Sequence, residues 1–331
     1  GTPGGLLQSG TPTGRFLSIR QPLKKNPRRP EEWFGIKGAT MHNLQDISVD
    51  LPLGTLCVIA GVAGSGKSSL MGCFLDEAAR KKERGELNGY GEPIYISQRN
   101  IGASLRSTPA TYMGVADDLR KLFAKRCGAR ADLFTFNGRG ACPVCKGRGV
   151  IVSEMAFMDS IETTCEACGG LRYSPEVLEY RVDGLNIAET MDLTVRQASR
   201  RFAGTVVEEK LRPLMQVGLV YLHLNQALST LSGGELQRLK LASYLPPASA
   251  GEKGAGRQGN APKRIFILDE PTDGLHAKDI QNLVALLEGM VDSGDSIFLI
   301  EHNLEVLKAA DYVVELGPGG GQEGGKLLFC G

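Results

Sequence analysis

The chain has 331 residues, 42% of them hydrophobic and 23% charged, with a formal net charge of +1. That length can bury a sizeable core, and the composition excludes intrinsic disorder, collagen and a small disulfide scaffold. The longest apolar stretch, residues 56–64, is about half of what a spanning helix needs, so no membrane association is expected.

No basic segment followed by an apolar one opens the chain, which points to the cytoplasm rather than export. Glycine accounts for 43 residues, close to twice the usual share of about 7%, as expected of a chain rich in tight turns and backbone-to-ligand approaches. Residues 1–32 read as a linker, rich in Gly, Pro, Thr and basic side chains. Residues 15–29 alone hold six basic groups and no acid. The chain opens on Gly1 without Met and stops at Gly331 as a strand finishes, so a piece of a longer polypeptide is expected.

Residues 56–60 (L-C-V-I-A) suit a buried strand, followed by G-V-A-G-S-G-K-S over 61–68 and a helix-like stretch over 69–80. This is the P-loop pattern G-x4-G-K-[ST] in its strand–loop–helix setting. Glycines let successive backbone N–H groups wrap phosphate oxygens, and the helix N-terminus adds partial positive charge. Gly61, Gly64, Ser65, Gly66, Lys67, Ser68 and Ser69 are therefore the candidate nucleotide-binding residues. Lys67 is expected to reach the β- and γ-phosphates of ATP, and Ser68 to ligate Mg²⁺. Cys73, on the following helix, reads as core filler.

Residues 99–148 hold ten Lys/Arg against three Asp. A block of this kind suits phosphate neutralisation on nucleic acid, and charge counting alone suits a solvated basic face equally well. Within and beyond it, Cys142, Cys145, Cys165 and Cys168 form two C-x2-C pairs. Each pair is followed closely by glycine, which frees backbone N–H groups to face sulfur. Four thiolates at this spacing suit tetrahedral Zn²⁺ and leave no position for water, so the expected zinc is structural. A redox role is disfavoured, because no thioredoxin-like strand–helix context surrounds either pair. Between the pairs, Met155, Phe157 and Met158 read as local hairpin core rather than a wedge for DNA.

Further on, L-S-G-G-E-L-Q-R over 231–238 feeds a helix. The stretch 246–262 is rich in Gly, Ala and Pro and reads as a flexible loop. An apolar strand over 264–268 ends at Asp269-Glu270, where Asp269 is expected to hold Mg²⁺ and Glu270 to polarise the attacking water. A third strand over 296–300 leads to Glu301-His302-Asn303. A lone histidine at a strand end is more often structural, but the two preceding sites favour His302 as a γ-phosphate contact that positions the water.

Together the P-loop, L-S-G-G-E, L-D-E-P and E-H-N strings resemble an ABC-type ATPase, an α/β cassette with a helical signature subdomain. The resemblance implies that two cassettes sandwich ATP, so Ser232, Gly233 and Gly234 would complete the site of another cassette. Gln98 matches that family's glutamine loop, which senses Mg²⁺ and nucleotide. On this reading residues 33–98 hold the P-loop part of the core, 99–230 the signature and insertion region with a zinc module at 140–172, and 231–331 the rest of the core.

The zinc knuckles embedded in the cassette further resemble the UvrA family, specifically its second cassette. R-S-T-P-A-T-Y over 106–112, F-T-F-N over 134–137, and P-T-D-G-L-H over 271–276 carry the resemblance, which runs from about Trp33 to Gly331. It implies an ATPase of nucleotide excision repair that binds double-stranded DNA as a dimer of two-cassette chains and loads a partner nuclease subunit without cutting DNA itself. Arg106, Lys121, Lys125, Arg126, Arg139, Lys146 and Arg148 are the candidate DNA contacts. Docking of an excinuclease B-type subunit would use parts of the family's chain that are absent here. The 246–262 stretch suggests a diverged paralogue, and some such paralogues confer resistance to DNA-binding drugs. General repair and self-resistance both stay open, and a transporter-type motor is disfavoured because the basic zinc insertion has no use there.

Overall fold

A strand that is apolar at every position needs a sheet covered on both faces. In the computed structural model, residues 56–60 lie in the middle of such a sheet, at most 7% exposed. The structure describes residues 6, 11, 13, 22–30, 32–87, 89–97, 107–155, 158–246 and 262–331. In chain order these begin with β1 (Glu32–Ala39), β2 (Ile47–Leu53), β3 (Leu56–Gly61), α1 (Lys67–Glu83) and β4 (Ile94–Ile96). Then come α2 (Val115–Cys127), β5 (Val150–Met155), β6 (Met158–Thr164), α3 (Ile187–Met191), α4 (Val195–Arg201), α5 (Val206–Gln216) and α6 (Gly233–Tyr244). The chain closes with β7 (Ile265–Asp269), α7 (Ala277–Asp292), β8 (Ser296–Ile300), α8 (Leu304–Ala309), β9 (Tyr312–Gly317) and β10 (Lys326–Cys330). These elements form two units, one from residues 1–99 and 253–331, the other from residues 100–252.

In the first unit a six-stranded sheet runs in the order β10-β9-β3-β8-β7-β4. All its pairings are parallel except that of β10 on β9. The antiparallel pair β1–β2 forms a separate small sheet. Helix α1 buries Leu70, Met71, Phe74 and Ala78, a spacing that makes one apolar stripe. Phe74 bridges the layers, its ring 4.3 Å from Phe34 of β1 and 5.1 Å from Phe298 of β8. Arg80, Lys81 and Lys82 sit in the last turn of α1, where cations suit the helix dipole.

Residues 22–30, inside the stretch read as a linker, are held by Asp311, whose side chain is shielded from solvent. Its carboxylate accepts from Arg28 N–H at 2.8 Å, from the Arg28 guanidinium at 2.8 Å, and from Leu56 N–H at the start of β3 at 2.9 Å. Lys24 Nζ lies 2.7 Å away. Burial alone would raise this carboxyl, but Lys24, Arg28 and the two amides outweigh it and hold the group below its ordinary range. A lowered pKa in the folded state contributes stability above the unfolded carboxyl's pKa, and that contribution is lost as pH falls through the folded value. Asp311→Asn is therefore expected to cost about 2 kcal/mol at pH 7, because it leaves two cations facing a neutral amide. The deficit should shrink towards pH 3, and urea unfolding of both proteins at the two pH values measures it.

The second unit is mainly helical. Helix α2 is bracketed by Gly114 and Gly128 in left-handed conformation, with Asp117 and Asp118 in its first turn and Lys125 and Arg126 in its last. Three later helices open on the same device, a reciprocal capping box: Asn186 with Glu189, Thr194 with Gln197, and Ser232 with Glu235. Strands β5 and β6 make an antiparallel hairpin in which Val150 faces Thr164 and Met155 faces Met158. Phe157 lies outside the described residues, as do 247–261 of the stretch read as a flexible loop. Among the described residues no helix is long and apolar enough to cross a membrane.

Candidate nucleotide-binding and metal sites

Parallel pairing brings the carboxyl ends of β3, β7 and β8 to one edge of the sheet. Ile59 faces Ile300, and Ile300 faces Asp269, so the residues that follow each strand emerge together. In parallel α/β sheets this edge is where ligands bind. The cleft there measures about 600 Å³ and is lined by Ser68, Ser69, Asp269 and Glu270, with His42 and Tyr95.

The glycine loop between β3 and α1 is tightly seated. Gly61 has a φ of 139°, and a Cβ on it would lie 2.3 Å from Leu316 O, so only glycine fits. Gly66, at φ 104°, turns the chain into α1. Lys67 folds its ammonium onto the loop, donating to Gly61 O at 2.9 Å and Val62 O at 3.0 Å. Ser65 Oγ is buried with no hydrogen-bond partner among the described residues. A cradle of glycines with a buried, unsatisfied hydroxyl and a charged lysine fits a phosphate chain.

Two features of this cradle have no local sequence signal. The loop after β9 closes its back, with Gly321 N–H donating to Gly64 O and Gly325 N–H to Ser65 O. Asn43, between β1 and β2, donates to Gly64 O at 2.9 Å and to Gly321 O at 3.1 Å, tying both loops together. His42 Nδ1 lies 3.2 Å from Ser69 Oγ.

Across the cleft, the Tyr95 hydroxyl donates to Asp269 Oδ2 at 3.0 Å. Glu270 takes a left-handed backbone, φ 49°, anchored by its N–H on Ile300 O at 2.9 Å. A non-glycine residue in that region costs of order 1 kcal/mol or more, and such positions gather at functional sites. Its Oε1 lies 3.9 Å from His302 Nδ1. Gln98 and Arg106 lie outside the described residues.

In the second unit, Ser232 caps α6, and Gly233 and Gly234 form the helix's first turn. Glu235 accepts from Ser232 N–H at 2.8 Å and Ser232 Oγ at 3.0 Å, and from the Tyr221 hydroxyl at 2.7 Å. Burial works to raise the Glu235 carboxyl, yet the hydrogen bonds from Tyr221 and Ser232 keep it below its ordinary value. Ser232 itself is exposed.

The sulfurs of Cys142, Cys145, Cys165 and Cys168 all lie within 4.8 Å of one another, and all four residues are buried. The hairpin brings them together. Val150 opposite Thr164 sets the two knuckles side by side, Cys165 N–H donates to Gly149 O at 2.9 Å, and Cys142 N–H to Arg172 O at 2.9 Å. Gly149 N–H points at Cys145 Sγ, 3.3 Å away. Tetrahedral zinc with bonds of about 2.3 Å separates sulfurs by about 3.8 Å. The pairs Cys145–Cys168 at 3.7 Å and Cys142–Cys165 at 4.0 Å fit that edge.

Lys121, Lys125, Arg126, Arg139, Lys146 and Arg148 are all exposed. Lys121 and Lys125 share one face of α2 by their i,i+4 spacing, whereas Lys146 and Arg148 belong to the first knuckle. Arg139 leans on Asp132 at 3.6 Å.

No family model matches the chain. The UvrABC system protein A of Staphylococcus epidermidis strain RP62A is 40% identical over 360 residues, covering 99% of this chain and 37% of that protein. The UvrABC system protein A of Bacillus subtilis strain 168 is 39% identical, covering 99% and 36% respectively. The crystal structure of UvrA2 from Deinococcus radiodurans matches all of this chain and 41% of its own, with a TM-score of 0.86 at 37% identity. The chain thus spans little more than a third of the length of the curated relatives it matches. A largely parallel sheet with a P-loop after β3, an acid pair at the end of β7 and a signature helix defines an ABC-type ATPase cassette. Four clustered cysteines inserted before the signature set this cassette apart from a bare nucleotide-binding fold. The chain belongs to the UvrA family, as one cassette of such a protein.

Proposed function

We propose that this chain is an ATP-hydrolysing, DNA-binding cassette of nucleotide excision repair, which uses ATP to control its engagement with double-stranded DNA. The observation that supports it most is the combination, in one UvrA-family chain, of the phosphate cradle with a buried four-sulfur cluster. Gly61, Gly64, Ser65, Gly66, Lys67, Ser68 and Ser69 bind the triphosphate. Lys67 turns from the loop carbonyls to the β- and γ-phosphates. Ser68 and Asp269 hold Mg²⁺, which when bound supplies charge neutralisation at the phosphates. Glu270 polarises the attacking water, and His302 contacts the γ-phosphate side of the cleft. Ser232, Gly233 and Gly234 complete the site of another cassette, in the same longer polypeptide and in a homodimer. Gln98 senses Mg²⁺ and nucleotide.

The cysteine quartet holds Zn²⁺ as a structural ion, because four sulfurs leave no open position. Lys121, Lys125, Arg126, Arg139, Lys146 and Arg148, with Arg106, contact DNA phosphates. Such contacts carry no base identity, so damage is read through deformability of the duplex. An excinuclease B-type subunit is the downstream partner, and the cytoplasm the compartment. ATP turnover measured without DNA, with undamaged duplex and with duplex bearing a bulky adduct tests the reading. A rate that differs between the two duplexes is expected; one rate in all three conditions would remove DNA from the function. The inserted stretch 246–262 favours one variation, a paralogue serving resistance to DNA-binding drugs. A duplex carrying a bound drug as the adduct arm would then give the larger response.

A further inference from the structure

Glu301, at the end of β8, is 0% exposed, and its two oxygens serve different loops. Oε1 accepts the Thr272 N–H at 3.0 Å and also the Thr272 hydroxyl, gripping the loop that follows Asp269 and Glu270. Oε2 accepts the N–H groups of His302 at 2.9 Å and Asn303 at 3.1 Å, gripping the turn that carries the imidazole. All four partners are donors, so the site takes an anion with acceptor capacity at both ends. We propose that Glu301 is a positioning residue for ATP hydrolysis, clipping the loop behind Glu270 to the turn of His302 and so setting the spacing between carboxylate and imidazole. The proposal rests on the reading of Glu270 and His302 as the hydrolytic pair. It adds a residue that reaches that pair only through backbone.

The geometry also says which substitutions are informative. Glu301→Gln keeps the volume but offers one acceptor oxygen and one NH₂, so whichever loop meets the NH₂ loses its partner and faces another donor. Thr272→Val removes one hydroxyl donor and leaves the Thr272-position N–H in place. Neither change replaces a residue of the glycine loop, Ser68, Ser69 or Asp269.

In the full chain, Glu301→Gln is expected to lower the ATP turnover number by about tenfold or more while the nucleotide dissociation constant stays within about twofold. Thr272→Val should show the same split, with a loss of about threefold. A carboxylate that merely fills the core would give the opposite pattern. Turnover would stay at the wild-type level, or the turnover number, nucleotide affinity and melting temperature would fall together; either result overturns the proposal. If Glu301→Gln does not fold, Thr272→Val decides, and unchanged turnover in that variant overturns it. Wild-type turnover measured alongside separates the two levels. An inactive wild type that binds no nucleotide sinks the ATPase reading and this proposal with it, while an active wild type with an equally active Glu301→Gln sinks this proposal alone.

Discussion

Replacing Lys67 with alanine is expected to cut ATP turnover by roughly a hundredfold or more, since a charge aimed at a developing phosphate charge is worth about 3 kcal/mol. The same change should leave the fold nearly intact. The ammonium donates to Gly61 O and Val62 O, and at about 1 kcal/mol per hydrogen bond the gross loss is small. Val62 is exposed and Gly61 partly so, which lets water take over both carbonyls instead of leaving them as buried orphans. Nucleotide affinity, phosphate release and a melting curve, measured on one preparation, separate the two effects. Turnover within about twofold of the wild type in a folded variant would mean that the phosphate chain does not lie where this lysine can reach.

Much of this site is legible in the sequence because its parts are local. A strand, a glycine loop and a helix start within a dozen residues, and each is dictated by side chains next to one another. The same holds for the acid pair that ends β7 and for the two C-x2-C knuckles. What was not legible depends on residues far apart along the chain. Asn43 bonds Gly321, 278 positions away, and Tyr95 bonds Asp269, 174 positions away. Both contacts join segments that lie far apart along the chain, which no periodicity encodes. Residues 22–30 show the same limit, since Pro and basic side chains suit a linker until Asp311, 283 positions beyond Arg28, is placed beneath them. Glu301 carries a local signal. It stands in the string that singled out His302, and an acid directly after five buried strand residues must find donors.

Replacing Cys145 with serine is expected to take bound zinc from about one ion per chain to almost none, and to loosen residues 140–172 while nucleotide binding persists. The reason lies in how little else holds the knuckles. Among the described residues their buried cluster consists of the four cysteines with Ile151 packed against it, which leaves little apolar core to stand in for the ion. In such a module the free energy of metal binding is most of the free energy of folding. A serine hydroxyl is a harder and far less acidic donor than a thiol, and it also removes the sulfur that accepts the Gly149 N–H. The β5–β6 hairpin should open with the site, since its register is clamped at one end by Cys165 N–H on Gly149 O. Phosphate-cradle residues belong to the other unit, built around the six-stranded sheet, and should keep their nucleotide. Metal content, limited proteolysis of residues 140–172 and nucleotide affinity give three independent readings. Zinc still at one per chain with an unchanged cleavage pattern would show that the ion is held elsewhere. Loss of nucleotide affinity together with zinc would show that the knuckles support the cradle.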